Sequence, residues 1–395
     1  MKRTVGTISR GIRCPIIREG DDLASIVTDS ILKASKQEGF EIEDKDIIGM
    51  TESIVARAQG NYTTIDAIAK DIKQKFNDDT IGVVFPILSR NRFSTILQGI
   101  ARGAKKLVLL IQYPSDEVGN ALLTFEQLDA SGVNPYSDTL TYEAFRKHFP
   151  ITKHPFTNLD YIQLYKDIVE SEGCELELVF SNNPTAIMDY TTSVLACDVH
   201  HYKRTSESLK QAGVKKLYGL EHMISEPIDD LGYNKEYGLL GANKATEETV
   251  KLFPRDNFAF VEKVQKMMFE KTGKTVEVMV YGDGAFKDPV GQIWELADPT
   301  VAPGFTKGLE GTPSEIKLKY LADNDFQDLS GAELDEALAQ EIKGKEEHLD
   351  DRLSQGTTPR RIVDLVGSLC DLTSGSGDKG TPIVYIQGYF DNFSD

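Results

Sequence analysis

Two near-continuous apolar runs, Ile81–Leu88 and Leu107–Gln112, constrain the fold of this chain more than any other feature. Neither alternates apolar with polar residues, so each reads as a strand covered on both faces, the habit of parallel sheets. The segment between them carries Arg90, Arg92 and Arg102 and has room for a crossover helix. Leu176–Phe180 reads as a further strand, followed by Ser181-Asn182-Asn183-Pro184 and a helix expected to end near Asp198-Val199-His200-His201. The run at Leu107 empties into the polar turn Tyr113–Asn120, and the carboxyl end of a buried strand is where open α/β sheets place ligands. Asp116, Glu117 and Asn120 there suit a cation or a hydroxylated ligand, and equally the cap of a following helix. Adjacent histidines cannot share one helix face, so His200 and His201 read as structural or surface residues rather than metal ligands.

Toward the N-terminus, an apolar tetrad (Cys14, Pro15, Ile16, Ile17) and a charged turn precede a helix. Asp21 or Asp22 is placed to cap it, Leu23, Ile26, Val27 and Ile31 share one face, and Gly39 is placed to end it. The stretch Ile47–Asn61 follows: an apolar pair, the polar cluster Thr51-Glu52-Ser53, a second apolar run, then Arg57 and a small-residue close. A strand ending in such a turn puts backbone N–H groups, two hydroxyls and a guanidinium within reach of one anion. An ordinary strand and turn with a surface arginine is the plainer alternative. Residues 63–76 read as an amphipathic helix through Ile65, Ile68, Ala69, Ile72 and Phe76.

In the last third, Tyr237–Pro254 reads as a glycine-bearing strand and turn, and a helix capped by Asp256 carries Phe260, Val261, Val264 and Met268 on one face. The strand Thr275–Tyr281 leads into Gly282-Asp283-Gly284-Ala285-Phe286-Lys287-Asp288-Pro289. Two carboxylates and a lysine after a strand, with glycines that let the backbone close on a ligand, suit a hydrated divalent cation bridging to phosphate; a plain Gly-Asp-Gly turn is the alternative. Pro359 opens a helix with Ile362, Leu365, Val366 and Leu369 inward, and the loop Thr373–Gly380 precedes the strand Thr381–Gln387. A glycine- and serine-rich loop with a lysine can cradle phosphate through its N–H groups, although this one lacks the order of a P-loop.

At 395 residues and 40% apolar, the chain can hold two or three domains, or one with a large insertion. A net charge of −18 argues against nucleic acid or an anionic membrane as partner. No run approaches the roughly 18 to 20 apolar residues needed to span a bilayer, and the basic N-terminus lacks the apolar stretch of a secretion signal, so the expected compartment is the cytoplasm. The four cysteines form no CxxC pair, which points away from a zinc knuckle or a disulfide framework. Eleven acidic residues against two lysines between Asp323 and Asp351 mark solvated helix and loop.

In this order the pieces resemble the coenzyme F420-0:L-glutamate ligase family, from the N-terminus to the final strand. GIRCPIIREGDDLASIV looks like that family's Leu-Pro-Leu-Ile tetrad and Gly-Asp-Asp/Asn-Leu helix start, and IIGMTESIVARAQGN like its Ser-Lys-Val-Val-Ser-Lys-Ala-Glu-Gly stretch. GANKATEETVKLFPRD sits where the family has Ala-Asn-Ala-Gly-Val-Asp-x-Ser-Asn before Leu-Pro-x-Asp. VEVMVYGDGAFKDPVGQ takes the place of its strand and Asp-Thr-x-Gly-Arg-Pro, and SGDKGTPIVYIQG looks like its closing Gly-x-Pro-Val strand.

The resemblance implies a mixed α+β and α/β fold. Residues 1–80 and 235–395 would be the two parts of a ligase-like domain, and 81–234 an inserted α/β region. It implies a ligase that joins glutamate or a similar amino acid to a carboxylate, driven by GTP with Mg2+ or Mn2+, through an acyl phosphate, in a homodimer. Carried over, Cys14, Pro15, Ile16, Ile17, Glu52, Ser53 and Arg57 would line the nucleotide, with Arg57 in the place of a lysine. Ser374, Gly375, Ser376, Gly377 and Lys379 would close over its phosphates. Glu247 and Asp283 fall at metal positions, with Asp116 as a further ligand and Asp288 in reserve, while Arg57 and Lys287 suit the transition-state charge. The chain departs from the family where Val250 replaces a nucleotide-contacting asparagine, Gly284 a threonine at the metal, and Glu52-Ser53 a Ser-Lys pair. Those departures motivate the alternative of a catalytically altered nucleotide- or metabolite-binding protein on the ligase frame, and a third reading is an unrelated hydrolase working from the inserted region.

Overall fold

The strand Ile47–Thr51 lies at the middle of a five-stranded sheet, in the order Ile8–Ile12, Ile383–Gln387, Ile47–Thr51, Glu277–Gly282, Val301–Phe305. It runs parallel to Glu277–Gly282, and every other neighbouring pair is antiparallel. The computed structural model describes residues 4–154, 157–282, 301–345, 360–374 and 377–394, with Ser354 and Thr357. They form two compact units: one holds the described residues up to Ala58 and from Asp256 onward, the other Gln59–Arg255. Residues 59–80 and 235–255, which the sequence grouped with the terminal parts, lie in the second unit.

In the first unit both faces of the sheet are buried, which is why its strands read as continuous apolar runs. Ile48, Met50, Val278, Val280, Ile383 and Tyr385 point into a core shared with the helices Leu23–Glu38 and Asn257–Thr272. Ile47, Met279, Tyr281, Val384 and Ile386 point the other way, onto the helix Ile362–Ser374. That helix presents Val363, Val366 and Cys370 as its fully buried face, with Ile362 and Leu369 beside them. It can approach the sheet closely because position 49 is glycine: a Cβ there would lie 2.4 Å from Cys370 Sγ. The helix from Leu23 stops where Gly39 turns left-handed (φ 69°) and its N–H bonds to the Ser35 carbonyl. The acidic helix Gly331–Gly344 buries only Leu338 and Ile342, in keeping with a solvated run.

Three local expectations change. Residues after Thr51 form a helix, Glu52–Gln59, and not a turn. Its Ile54-Val55 run looks strand-like, but both side chains enter the same core as Ile48 and Met50, and packing of that face outweighs the β-branched preference. Asp256 precedes its helix in a left-handed conformation (φ 53°) and its side chain makes no cap. Asp22 likewise makes no bond to the helix amides, accepting instead from Ser25 Oγ, while the Asp21 carboxylate accepts from the Arg18 N–H at 2.7 Å.

The second unit is an α/β sheet in the order Leu140–Thr141, Glu175–Phe180, Lys106–Ile111, Thr80–Val84, Ser193–Ala196, Lys216–Gly219. All neighbours are parallel except the pair at the Leu140 edge. The helix Phe93–Gly103 joins the first two strands, as the apolar runs predict. The strand at Thr80 ends at Val84 because Phe85 turns left-handed (φ 56°). The expected helix before His200 is instead a single 3-10 turn, Pro184–Asp189, and the strand Ser193–Ala196. Four apolar or small residues cannot distinguish the two by period, and pairing on both sides decides for a strand. A small antiparallel sheet joins Asn243–Lys244, Thr249–Lys251 and Tyr62–Thr64, after which Thr64 Oγ1 caps the helix Ile65–Phe76. No helix among the described residues is long and apolar enough to cross a membrane.

Candidate functional site

The first unit folds three distant segments onto one cavity of about 360 Å3. Cys14 to Ile17 form one wall, Thr51, Ser53, Ile54 and Arg57 a second, and Ser374, Gly377 and the residues from Gly380 to Pro382 a third. Strand Ile47–Thr51 delivers its last residue to the rim and the helix Glu52–Gln59 starts there, so first-turn N–H groups with their partial positive charge are at hand for an anion. Arg57 Nε donates to the Ile17 carbonyl at 3.1 Å, tying the tetrad to the helix. The exposed Arg57 guanidinium has no ion-pair partner among the described residues. Ile16 is 79% exposed, an unusual place for a large apolar side chain, and it lies on the cavity wall. Cys14 is half-buried there, and burial raises its thiol pKa, keeping it protonated and unreactive at neutral pH.

A larger cavity of about 1030 Å3 shares Cys14, Pro15 and Thr381 with the first. Arg10, Arg13 and Lys33 line it together with Asp29 and Glu38, and Arg10 lies 4.4 Å over the Phe40 ring. Thr51, one of the two hydroxyls expected beside an anion, lines the first cavity, whereas the larger cavity and the contribution of Ile54, Thr381 and Pro382 were not foreseen. The only signal for Thr381 and Pro382 was that they follow the glycine-rich loop directly.

The other site candidates are placed differently. Glu52 is buried at the start of its helix and does not line the cavity. Lys379 is exposed on the 3-10 turn Gly377–Lys379, also off the cavity wall. Gly375, Ser376, Asp283, Gly284, Lys287 and Asp288 lie outside the described residues. Glu247 belongs to the second unit, on the exposed turn of the Asn243–Lys251 hairpin, where it pairs with Lys244 at 2.7 Å. Asp116, in the same unit, is a buried loop organiser. Its carboxylate accepts from the N–H groups of Leu88 (2.8 Å), Val118 (3.0 Å) and Asn120 (2.8 Å) and from Asn120 Nδ2 (2.8 Å). Burial still raises its pKa, the donors only partly offsetting the lost hydration. With its lone pairs so occupied, Asp116 does not fit a metal ligand. Among the described residues no group of three or more His, Cys, Asp or Glu side chains is placed to hold a metal ion.

Asp116→Asn should cost about 1–3 kcal/mol, because an amide offers one accepting oxygen where the carboxylate offers two and leaves buried donors unmatched. Urea unfolding with and without added Mg2+ checks this: a loss of stability independent of the metal is expected, and a metal-dependent loss would return Asp116 to the metal role.

His200 and His201 follow the strand Ser193–Ala196. Glu117 reaches this loop with a side chain only 1% exposed: its carboxylate accepts from the N–H groups of Val199, His200 (3.1 Å) and His201 (3.2 Å) and lies 3.2 Å from His201 Nδ1. Glu117 thus organises the loop that leads into the helix Tyr202–Gln211, and does not cap the helix that follows its own turn, which the capping alternative expected.

No curated protein matches the chain. The profile of the family described as F420-0:gamma-glutamyl ligase matches residues 11–388, nearly the whole length, and its span covers all the segments that build the cavity. The chain therefore belongs to the F420-0:gamma-glutamyl ligase family, whose name describes a ligase forming carbon–nitrogen bonds.

Proposed function

We propose that the chain is a nucleotide-driven carboxylate–amine ligase that adds glutamate or a similar amino acid to a small carboxylate, with GTP as the phosphoryl donor. The convergence of Cys14–Ile17, Ser53, Arg57, Ser374 and Gly377 on one cavity supports this reading most. These residues come from three segments that the resemblance assigns to one nucleotide. In the proposed cycle a carboxylate oxygen of the substrate attacks the terminal phosphorus, and the bond to the nucleoside diphosphate breaks. The amine then attacks the acyl carbon, phosphate leaves, and the nitrogen loses a proton. The chain's own share is positioning and charge: Arg57 and the first turn of helix Glu52–Gln59 would face the phosphates, and Ile16 offers an apolar surface to the base. Arg10, Arg13 and Lys33 in the adjoining cavity would hold the carboxylate substrate. A divalent metal, Mg2+ or Mn2+, is part of this proposal; Asp283 and Asp288, expected to hold it, lie outside the described residues. A homodimer belongs to the same proposal.

The test is a set of thermal melts with GTP, ATP or neither, each with and without Mg2+ or Mn2+, followed by phosphate-release assays. A ligand at a hundred times its dissociation constant adds roughly 2.7 kcal/mol, a rise of a few degrees at this size. We expect a rise with GTP, and phosphate release only when carboxylate and amine are both present. Binding without release would favour the catalytically altered alternative, and release without an acceptor a hydrolase.

A further inference from the structure

On the wall of the larger cavity stands an arginine that the fold holds still without neutralising it. Strand Ile8–Ile12 is an edge of the five-stranded sheet and pairs only with Ile383–Gln387. Arg10 lies two residues before Ile12, which enters the core under helix Leu23–Glu38, so strand alternation turns Arg10 to that same face. Tyr385 is its direct partner across the strands, and Gln387 is the next residue of that face on the neighbouring strand.

Two side chains fix the guanidinium there. Arg10 Nη1 donates to Gln387 Oε1 at 2.6 Å, and its Cζ lies 4.4 Å over the Phe40 ring. Phe40 stacks in turn on Tyr385, with ring centroids 5.2 Å apart and planes 29° from parallel. The Gln387 amide has one orientation open to it. Its Nε2 donates to the Glu41 carbonyl at 2.8 Å and to Asp46 Oδ2 at 3.3 Å, which leaves Oε1 for the arginine. Asp46 is 3% exposed and anchors that end, accepting also from the Tyr385 hydroxyl and from the Glu43 N–H at 2.8 Å. From Asp46 outward, each group sets the direction of the next.

Neither partner of Arg10 carries a charge. A carboxylate at position 387 would hold the guanidinium more strongly and would also neutralise it. An amide and an aromatic face hold it and leave its positive charge unspent. The acidic residues that line the same cavity do not spend it either: Asp29 pairs with Lys271 at 2.6 Å, and no ion pair joins Asp29 or Glu38 to Arg10 among the described residues. An arginine whose rotamer is already fixed gives up less conformational freedom when an anion arrives.

We infer that Gln387 and Phe40 are positioning residues for substrate binding: they hold Arg10 as an uncompensated cation on the larger cavity, where it receives an anionic group of the carboxylate-bearing ligand. The inference rests on the ligase reading for the identity of that ligand, and it deepens that reading by naming what makes Arg10 fit to bind it.

Calorimetric titration of the full chain with F420-0, the molecule for which the family is named, and separately with GTP, tests the inference. Arg10→Ala should weaken F420-0 binding about thirtyfold, the scale of a lost hydrogen bond to a charged group. Gln387→Met and Phe40→Leu should each weaken it about three- to tenfold, the cost of ordering one long side chain on binding. Phe40→Tyr, which keeps the ring, should restore the parent affinity, and GTP affinity should be unchanged in every variant. A role exercised through Arg10 has its own signature: in an Arg10→Ala background, neither Gln387→Met nor Phe40→Leu should weaken binding further. Phe40→Leu remains informative if Gln387→Met fails to fold. Additive losses in the double variants, an equal loss of GTP affinity, unchanged F420-0 binding in Arg10→Ala, or no binding by the parent would overturn the inference. The expected binding pattern without phosphate release in the presence of GTP and L-glutamate would overturn the ligase reading and support the inference alone.

Discussion

Arg57→Ala is expected to slow nucleotide-driven phosphate release by about 10²–10³-fold, the scale for removing one preorganised group from a developing phosphoryl charge. The reason lies in where the side chain sits. Its Nε is spent on the Ile17 carbonyl, which fixes the arginine and the Cys14–Ile17 wall together. The remainder of the fork stands at the cavity with no carboxylate among the described residues to neutralise it. Alanine removes both the charge and the tie, while the exposed position on a short helix leaves the core intact. Arg57→Lys separates these effects: it keeps a point charge and loses the fixed fork, so turnover should recover in part while nucleotide affinity stays reduced. Initial rates of phosphate release and nucleotide affinity for the three proteins decide the matter. Turnover within threefold of the parent in Arg57→Ala would place the phosphates elsewhere.

How much of this was legible before the structure depended on the range of the cause. The parallel pair at Thr80–Val84 and Lys106–Ile111 was readable because a strand buried on both faces loses its polar alternation, a property carried by its own residues. The helices from Leu23 and Ile65 were readable for the same reason, through one apolar face each and, in the first, a terminating Gly39. The helix Glu52–Gln59 was not, because Ile54 and Val55 favour a strand locally and only a core built from Ile48, Met50 and Val278 overrides them. Ser193–Ala196 was missed because a four-residue run has no measurable period, and its identity comes from partners more than a hundred residues away on one side. In the site, the Cys14–Ile17 tetrad, Ser53, Arg57 and Ser374 were named from the order of motifs along the chain, which carries no distances. Their meeting on one cavity is a property of the five-stranded sheet. Of the expected metal residues, Asp283 lies outside the described residues, while Asp116 spends its carboxylate on four donors and Glu247 pairs with Lys244, because polar loops use carboxylates to organise themselves as readily as to hold ions.

At pH 8, Asp198→Asn is expected to be more stable than the parent, by about 3 kcal/mol at most. Burial beside Glu117 raises the Asp198 carboxyl from 3.8 to about 6, with burial the larger cause; the Thr205 hydroxyl and His201 pull the other way, and Tyr202 also faces it. A raised folded-state value means that the fold disfavours the ionised form. The penalty is absent below about 3.8, grows between 3.8 and about 6, and is complete above, at roughly 1.36 kcal/mol for each of the two or so intervening pH units. Asparagine matches the shape, keeps a partner for Thr205 and carries no charge, so it escapes this penalty. The advantage should therefore be largest at pH 8, shrink through pH 5 and disappear near pH 4, read as a difference of a few degrees in melting temperature that closes on acidification. A constant difference across that range, or an asparagine variant less stable at pH 8, would mean that Asp198 ionises without cost in the fold. Asp198 thus weakens the fold at neutral pH, a cost that the hydrogen bond from Thr205 only partly offsets.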